Sequence, residues 1–442
     1  MPFTSSLFIA FIAVFLPLFW LIELRSRRAA LLFTAFASLV FVAINFPLFA
    51  LIPIAQAILI LIFQKSNRSR PMLALTIVLL LLPLLIFKYY DFFMHNIGLQ
   101  PLQLSLPLGI SFYTFTAIGF VVDQYQNKYA INNPRFLDNL NLLTFWPHLA
   151  SGPILRGNDF FFGKDDGKLQ HRDITTALVL IIFGLYKKIV LADGVGGLVD
   201  QNLKTGISYM DPIAAWSTIF GFSARIYGDF SGYSDMAIGF AILMGIFIPA
   251  NFNYPYSAAS LTDFWRRWHI SLSSWFRDYV YIPLGGSKHG IVIGSAVVMA
   301  VFILSGLWHG AAWHFVVWGA IHGAILIVER FGRKLNIRLP AIAGWLLTFV
   351  AVALAWCFFF LSHKDAVALI AEALTPGGFE GYNTVAIWFY IGLLIFDFSL
   401  RPYRVKNGVI KATSAGILLS PVILSICFYF AGKPMPFIYF DF

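Results

Sequence analysis

The sequence is poor in charged residues and has only two cysteines. Asp, Glu, Lys and Arg make up 12% of the 442 residues, far less than in a soluble domain of this length. Cys357 and Cys427 both lie inside apolar runs, so we expect small core residues and neither a disulfide, a metal site nor a nucleophile. These shortages argue against a soluble globular domain and against a disulfide framework.

Several motifs of soluble enzymes are also missing. The chain has no Walker loop, no glycine loop that opens a helix after a strand, and no Gly-x-Ser-x-Gly elbow. ATP-driven transport and a serine hydrolase of the soluble type are therefore disfavoured. His309, His314 and His322 do not share the i, i+4 face of a zinc-binding helix, and no Glu adjoins His309, so we expect no metal. His314 and His322 are interpreted as packing or hydrogen-bonding residues.

Apolar residues are abundant instead, at 59% of the chain. A membrane-spanning helix needs about 20 of them in succession. Because some runs are short or interrupted, we expect an all-α polytopic membrane protein with about 11–13 spanning helices, plus re-entrant and interfacial helices around a central cavity. Residues 1–442 are interpreted as a single integral membrane domain. The apolar runs cover about 7–24, 29–45, 47–63, 72–90, 106–122, 136–154, 174–192, 212–228, 230–248, 290–307, 311–328, 341–361, 384–398 and 413–431.

The net charge of +10 is typical of basic cytoplasmic loops in a membrane protein, and we expect no nucleic-acid partner. Arg25, Arg27 and Arg28 follow the first apolar run, which is interpreted as a retained helix and not as a signal peptide. A second basic cluster follows the third run. The positive-inside rule then places the N-terminus outside and these two links in the cytoplasm.

The stretch from Ser260 to Tyr279 predicts an amphipathic helix. Ser260 and Asp263 form a capping-box pattern, and at about 100° per residue the aromatic side chains share one face. Cations occupy a neighbouring stripe, and His269 lies at the edge of the aromatic face. Such a helix lies along a membrane interface or packs under a bundle and does not span.

His309 is the sharpest catalytic candidate. It joins two apolar runs. Burying a histidine in a membrane segment costs free energy, so a histidine at such a position indicates a functional site. Its near-neutral pKa suits a general base that removes a proton from a hydroxyl or thiol. A core histidine hydrogen-bonded between helices is the alternative. His269 is either a second functional histidine or an interfacial aromatic with a polar tip.

Charged residues suggest two further features. Arg225 and Asp229 are spaced to pair on one helix face, as a buried ion pair or as a ligand contact. Arg266, Arg267 and Arg277, with Lys288 beyond them, suit either the phosphates of a coenzyme A or phosphopantetheine-type donor or anionic lipid headgroups.

Taken together, five linked motifs resemble the membrane-bound O-acyltransferase (MBOAT) family. Their order is similar to that of its bacterial branch, which acts in alginate and peptidoglycan O-acetylation and in teichoic-acid D-alanylation. The resemblance is strongest over residues 105–325. The motifs are Asp229-Phe-Ser-Gly-Tyr-Ser-Asp235, Asn253-Tyr-Pro-Tyr256, Asp263-Phe-Trp-Arg-Arg-Trp-His269, Tyr281-Ile-Pro-Leu-Gly-Gly286 and Trp308-His-Gly310.

The resemblance implies a funnel-shaped helical bundle in a bacterial cytoplasmic (inner) membrane, crossed by an acyl group. It implies that His309 is catalytic and that His269 is the second functional histidine. Trp265, Arg266, Arg267 and Trp308 are then candidate substrate contacts. Tyr439, in a C-terminal aromatic tail similar to that of the branch, is a further one.

The resulting hypothesis is an O-acetyltransferase for a cell-surface polysaccharide. No cofactor is bound; acetyl-CoA or an acyl-carrier thioester serves as the donor. We expect a separate extracytoplasmic partner, an acetyltransferase of the serine-hydrolase type, that passes the group to the polysaccharide acceptor. D-alanyl transfer to teichoic acid is the alternative within the family. A transporter or flippase without acyl chemistry, and a structural subunit, are alternatives outside it.

Overall fold

The computed structural model describes residues 3–44, 46–128, 135–157, 173–337, 339–376, 401–406, 408–430 and 432. These residues are mostly helical, and the one sheet among them is a two-stranded hairpin. The predicted all-α class is therefore confirmed. The chain divides into two compact units, formed by Met1–Leu178 with Met236–Pro249 and by Val179–Asp235 with Ala250–Phe442.

The first unit is built from long apolar helices and shorter connecting ones. Its helices are α1 (Ser6–Arg25), α2 (Arg27–Ala43), α3 (Leu51–Lys65), α4 (Arg70–Leu84), α5 (Tyr90–Asn96), α6 (Ile110–Tyr125), α7 (Phe136–Thr144) and α8 (Trp146–Leu149). A 3₁₀ turn, Pro47–Ala50, precedes α3, and a π-helical turn, Leu85–Tyr89, joins α4 to α5.

Aromatic packing around Trp146 forms the core of the first unit. The indole lies 5.6 Å from the ring of Phe15 and 5.9 Å from that of Phe41, and its backbone N–H donates to the hydroxyl of Ser38. One buried polar contact of this unit joins α3 to α6, where the amide of Gln56 donates to the hydroxyl of Thr114 across 3.0 Å. Satisfied polar contacts of this kind are required where water is absent.

The second unit holds every candidate site residue within the described part of the chain. Two helices, α9 (Ile174–Tyr186) and α11 (Pro212–Leu243), contribute residues to both units. The other helices of the second unit are α10 (Val195–Thr205), α12 (Leu261–Arg267), α13 (Ile270–Phe276), α14 (Gly290–His309), α15 (Trp313–Lys334), α16 (Ala341–Phe360), α17 (His363–Leu374) and α18 (Ser414–Phe430).

Shorter elements complete this unit. Strands β1 (Tyr403–Lys406) and β2 (Val409–Ala412) pair in antiparallel register, with Tyr403 opposite Ala412. The π-helical segments are Lys187–Gly194 and Arg277–Tyr281, and the 3₁₀ turns are Ile207–Tyr209 and Pro255–Ser257. Cys357 and Cys427 are buried free thiols in two separate apolar clusters, as the sequence predicted.

Seven helical segments among the described residues, three of which include a 3₁₀ or π-helical turn, are long and apolar enough to cross a membrane, by length and composition. This is fewer than the 11–13 spans expected, for identifiable reasons. The runs at 29–45, 106–122 and 413–431 form helices of 17, 16 and 17 residues, and the run at 136–154 is broken at Phe145. The runs at 212–228 and 230–248 join into one helix of 32 residues, and the run at 384–398 lies outside the described residues. The seven are Ser6–Arg25, Pro47–Lys65, Arg70–Asn96, Ile174–Thr205, Gly290–His309, Trp313–Lys334 and Ala341–Phe360.

Candidate active site

His309 is the last residue of α14, and its side chain is buried. The helix ends there because Gly310 is extended, with φ of −158°. A Cβ on Gly310 would overlap the ring of Phe315, so only glycine fits between the two helices at this point. Similarly, a Cβ on Gly306 would meet the carbonyl oxygen of Phe315, and one on Gly319 would meet that of Phe302. Close contact between α14 and α15 thus fixes the position of His309.

Aromatic rings surround the imidazole of His309. Ring centroids lie 4.9 Å away for Trp308, 5.1 Å for Trp318 and 5.1 Å for Phe359. The rings of Trp318 and Phe359 meet the imidazole at 87° and 72°. Such packing limits the access of bulk water to the imidazole, and exclusion of water strengthens polar interactions.

The amphipathic helix predicted over residues 260–279 is interrupted at His269. Helix α12 ends at Arg267 and α13 begins at Ile270, and His269 between them is left-handed, with φ of 43°. The backbone of residues 251–253 takes over the hydrogen bonds that a continuous helix would make: the N–H of Ile270 donates to the carbonyl of Asn251, and that of Asn253 donates to the carbonyl of Arg267, both across 2.9 Å. The sequence prediction of one continuous helix was therefore wrong.

Asn251 also fixes the orientation of the His269 ring. Its Oδ1 lies 3.2 Å from Nδ1 of His269 and accepts from the backbone N–H and the hydroxyl of Ser271. Because a backbone N–H can only donate, this atom is the amide oxygen, and Nδ1 of His269 carries the proton. Nε2 then carries a lone pair.

Burial keeps His269 neutral. Its side chain is 0% exposed, and the ring of Phe230 meets it perpendicularly at 4.6 Å. Desolvation lowers the pKa of His269 to about 3. A neutral imidazole with a fixed tautomer accepts a hydrogen bond at Nε2 at physiological pH.

The structure brings the two predicted histidines together. The ring centroids of His269 and His309 are 6.5 Å apart, and Trp308 lies beside both, 5.8 Å from His269. Forty residues separate them in the chain, so the sequence could nominate each histidine but not their proximity. The two buried imidazoles therefore lie in one aromatic enclosure, where one can act as a base and the other as a hydrogen-bond acceptor.

Of the other predicted substrate contacts that the structure describes, one is buried, one is exposed and one is in an ion pair. Trp265 is buried and packs at 5.8 Å from Trp318 and 5.1 Å from His322. Arg266 is exposed, whereas Arg267 pairs with Asp263 across 2.9 Å. Tyr439 lies outside the described residues.

The predicted pair of Arg225 with Asp229 is wrong. Helix α11 does continue through Gly228, but Arg225 pairs with Asp200 at 2.7 Å and Asp229 pairs with Lys188 at 2.9 Å. Gly228 lets the π-helical segment approach α11 closely, because it has no Cβ. A Cβ at this position would lie only 2.8 Å from the carbonyl oxygen of Lys187.

A second buried ion pair was missed by the sequence reasoning. Lys187 lies 2.8 Å from Asp235, and the hydroxyl of Tyr403 bonds to both side chains. Asp235 is in one of the recognised motifs, but Lys187 and Tyr403 carry no local signal because they are distant in sequence. This triad joins α11, the π-helical segment and strand β1.

His314 and His322 make the packing and hydrogen-bonding contacts predicted for them. Nδ1 of His314 donates to the carbonyl oxygen of Phe358 across 3.1 Å. His322 is 0% exposed and packs at 4.9 Å from the ring of Trp318.

Comparisons with known proteins identify the family of the chain. Residues 120–371 match the family model described as "MBOAT, membrane-bound O-acyltransferase family". The chain is 33% identical to the peptidoglycan O-acetyltransferase of Helicobacter pylori, over 80% of this chain and 79% of that protein. It is 35% identical to the probable alginate O-acetylase AlgI of Pseudomonas aeruginosa, over 71% of this chain and 62% of that protein. It is 29% identical to the teichoic acid D-alanyltransferase of Bacillus subtilis, over 58% of this chain and 67% of that protein.

Proposed function

Because the chain belongs to the membrane-bound O-acyltransferase family and is thus a multi-pass membrane O-acyltransferase, we propose that it O-acetylates a cell-surface polysaccharide, with His309 as the general base. The observation that carries the proposal is the buried, ring-lined pair of His309 and His269, 6.5 Å apart. The names of the relatives support the reaction class, since they include an O-acetyltransferase of peptidoglycan and an O-acetylase of alginate.

In this proposal His309 removes the proton from the accepting hydroxyl or thiol as that atom attacks the thioester carbonyl. The new acyl–oxygen or acyl–sulfur bond forms as the donor's carbon–sulfur bond breaks, and the donor leaves as a thiol that takes up the proton. The rings of Trp308, Trp318 and Phe359 exclude the water that would otherwise compete as acceptor.

His269 positions the donor and does not act as an acid. Since Nδ1 donates to Asn251, Nε2 presents a lone pair, and the lowered pKa keeps the ring neutral. A hydrogen-bond acceptor suits the amide N–H groups of a pantetheine-type thioester. Trp265 and Trp308 are the proposed walls for the donor, and Arg266 and Arg267 are proposed contacts for its charged end. The proposed role of Tyr439 in acyl transfer rests on the family resemblance alone.

The donor is proposed to be acetyl-CoA or an acyl-carrier thioester, approached from the cytoplasmic side of a bacterial inner membrane. The described residues hold no separate soluble-type hydrolase domain, and the acceptor side is proposed to require an extracytoplasmic acetyltransferase of the serine-hydrolase type. D-alanyl transfer is the second candidate, favoured by the similarity to the teichoic acid D-alanyltransferase.

A proteoliposome assay tests the proposal. Purified protein is reconstituted and supplied with acetyl-CoA or with a D-alanyl carrier thioester, and free thiol is measured. We expect thiol release with the acetyl donor, increased by an accepting hydroxyl or thiol. Release with only the D-alanyl donor would replace the acetyl proposal with the second candidate. Release with neither would refute both.

A further inference from the structure

A pocket of about 840 Å3 in the second unit is lined by cations. Four basic side chains face it: Arg267, Arg401, Arg404 and Lys406. Among the described residues that line it there is no carboxylate, although Arg267 also pairs with Asp263. Such a concentration of positive charge in a concave site attracts an anion.

The hairpin that carries two of these cations, Arg404 and Lys406, is firmly anchored. The hydroxyl of Tyr403 lies 2.9 Å from both Nζ of Lys187 and Oδ2 of Asp235. The backbone carbonyl oxygen of Tyr403 accepts a hydrogen bond from the hydroxyl of Tyr254. Side chains alternate along a strand, so Tyr403 is buried while Arg404 and Lys406 are exposed. The cations are thus presented by a fixed backbone.

Like charges are concentrated on this hairpin. Arg404 lies directly opposite Lys411 in the strand register, and like charges in that arrangement repel. Within the described residues no carboxylate pairs with Arg404 or Lys406. A bound anion would relieve this repulsion.

The N-terminus of α18 opens onto the same pocket. Thr413, Ser414 and Ala415 line it, and the hydroxyl of Thr413 accepts from the N–H of Gly416 as a cap. A helix of 17 residues carries a partial positive charge at this end. Helix and hairpin therefore add their charges in one place.

We propose that this pocket is a binding site for a phosphate-bearing ligand, held by Arg267, Arg401, Arg404 and Lys406. Three guanidinium groups favour phosphate, which they bind in bidentate geometry. The volume lies within the range of small-molecule sites, about 300–1,000 Å3, and exceeds the need of a bare phosphate ion. The phosphate belongs either to a nucleotide-like small molecule or to the headgroup of an anionic phospholipid.

Binding measurements on a double variant test this site without relying on turnover. Arg404→Gln/Lys406→Gln removes two exposed cations from the pocket. Lys204→Gln/Lys364→Gln removes two exposed cations elsewhere in the unit and is the matched control. Thermal unfolding of the wild type and both variants in one detergent verifies that both variants are folded.

Two probes separate the sources of the phosphate. Coenzyme A binding is measured by calorimetry in nanodiscs of zwitterionic phosphatidylcholine, and phosphatidylglycerol retention is measured by native mass spectrometry after purification from mixed lipid. We expect the pocket variant to lose at least tenfold in affinity or retention for one probe, and the control variant to lose less than twofold. A loss for coenzyme A identifies the small-molecule source, and a loss for phosphatidylglycerol identifies the lipid.

A footprint on the wild-type protein keeps the test decisive if the variant does not fold. The rate at which an amine-reactive reagent modifies Lys406 is compared with that for Lys204, with and without each probe. We expect one of the probes to slow modification of Lys406 alone. Unchanged binding of both probes by a folded pocket variant, or no selective protection of Lys406 by either probe, would overturn the proposal.

Discussion

Asn251 holds His269 through a single side-chain oxygen, which lies 3.2 Å from Nδ1 of the imidazole and also accepts two hydrogen bonds from Ser271. The contact determines which ring nitrogen carries the proton, and so determines what His269 can do next to His309. It also bridges the break between α12 and α13, since the backbone of Asn251 bonds to Ile270.

We expect Asn251→Ala to slow thioester turnover by about 5- to 150-fold, the rate equivalent of losing a hydrogen bond of about 1–3 kcal/mol. If Asn251 only supported the local structure, its substitution would also slow turnover. The pH profile of Asn251→Asp separates that structural role from an effect on the protonation of His269. An aspartate beside Nδ1 favours the charged imidazole and raises its pKa. Turnover of Asn251→Asp should therefore rise with pH over a range in which the wild type is flat. Parallel profiles would contradict the role of Asn251.

Acidification should destabilise the protein through His269. Burial lowers the folded pKa from 6.5 to about 3, so between these pH values the unfolded chain binds more protons than the folded chain. The contribution of neutral His269 to the free energy of unfolding is fully present above the unfolded pKa. It is lost as pH falls below that value, by at most about 1.4 kcal/mol per pH unit. The Tm measured from pH 7 to pH 5 should fall less steeply in His269→Asn than in the wild type. His95→Asn, at an exposed position, is the control and should keep the wild-type slope.

The contact between α14 and α15 can be tested with two glycines of one helix. A Cβ on Gly319 would meet the carbonyl oxygen of Phe302, whereas a Cβ on Gly332 would have nothing within 4 Å. We expect Gly319→Ala to destabilise the protein by about 1–3 kcal/mol and Gly332→Ala to stabilise it by up to about 1 kcal/mol. Thermal unfolding in detergent measures both. Equal effects of the two substitutions would show that the helices do not approach closely at Gly319.

The buried pair of Lys187 and Asp235 should be costly to break on one side only. Lys187→Met leaves Asp235 without its cation, which destabilises a protein by about 3–5 kcal/mol. The double variant Lys187→Met/Asp235→Asn removes both charges and should recover most of the loss. Folded yield and Tm measure this, and a double variant no more stable than Lys187→Met would argue against the pair.

Much of the fold could be read from the sequence because apolar runs report spanning helices directly. The number of spans could not, since a run does not reveal whether it is cut, as at Phe145, or merged with its neighbour, as in α11. The break at His269 was hidden for a similar reason. The pattern over residues 260–279 has helical periodicity throughout, and the residues that replace its hydrogen bonds, Asn251 and Asn253, lie outside the pattern.

The candidate site likewise contains residues that the sequence identifies and residues that it does not. His309 and His269 stand out because a histidine in an apolar setting is unusual, and the family resemblance gave them roles. Their partners do not stand out. Asn251, Lys187 and Tyr403 act through contacts with residues 18 to 216 positions away in the chain, which no local spacing encodes.

The most direct test of the proposed mechanism is thiol release from acetyl-CoA by His309→Gln in proteoliposomes, with protein amounts matched by folded fraction. His314→Gln, which changes a histidine of the adjacent helix α15 outside the aromatic enclosure, is the control. Loss of a general base lowers the rate by about 10²–10⁴-fold, so we expect His309→Gln to fall by at least about a hundredfold and His314→Gln to stay within about threefold of the wild type. A folded His309→Gln protein that releases thiol at nearly the wild-type rate would contradict the assignment of His309 as the base.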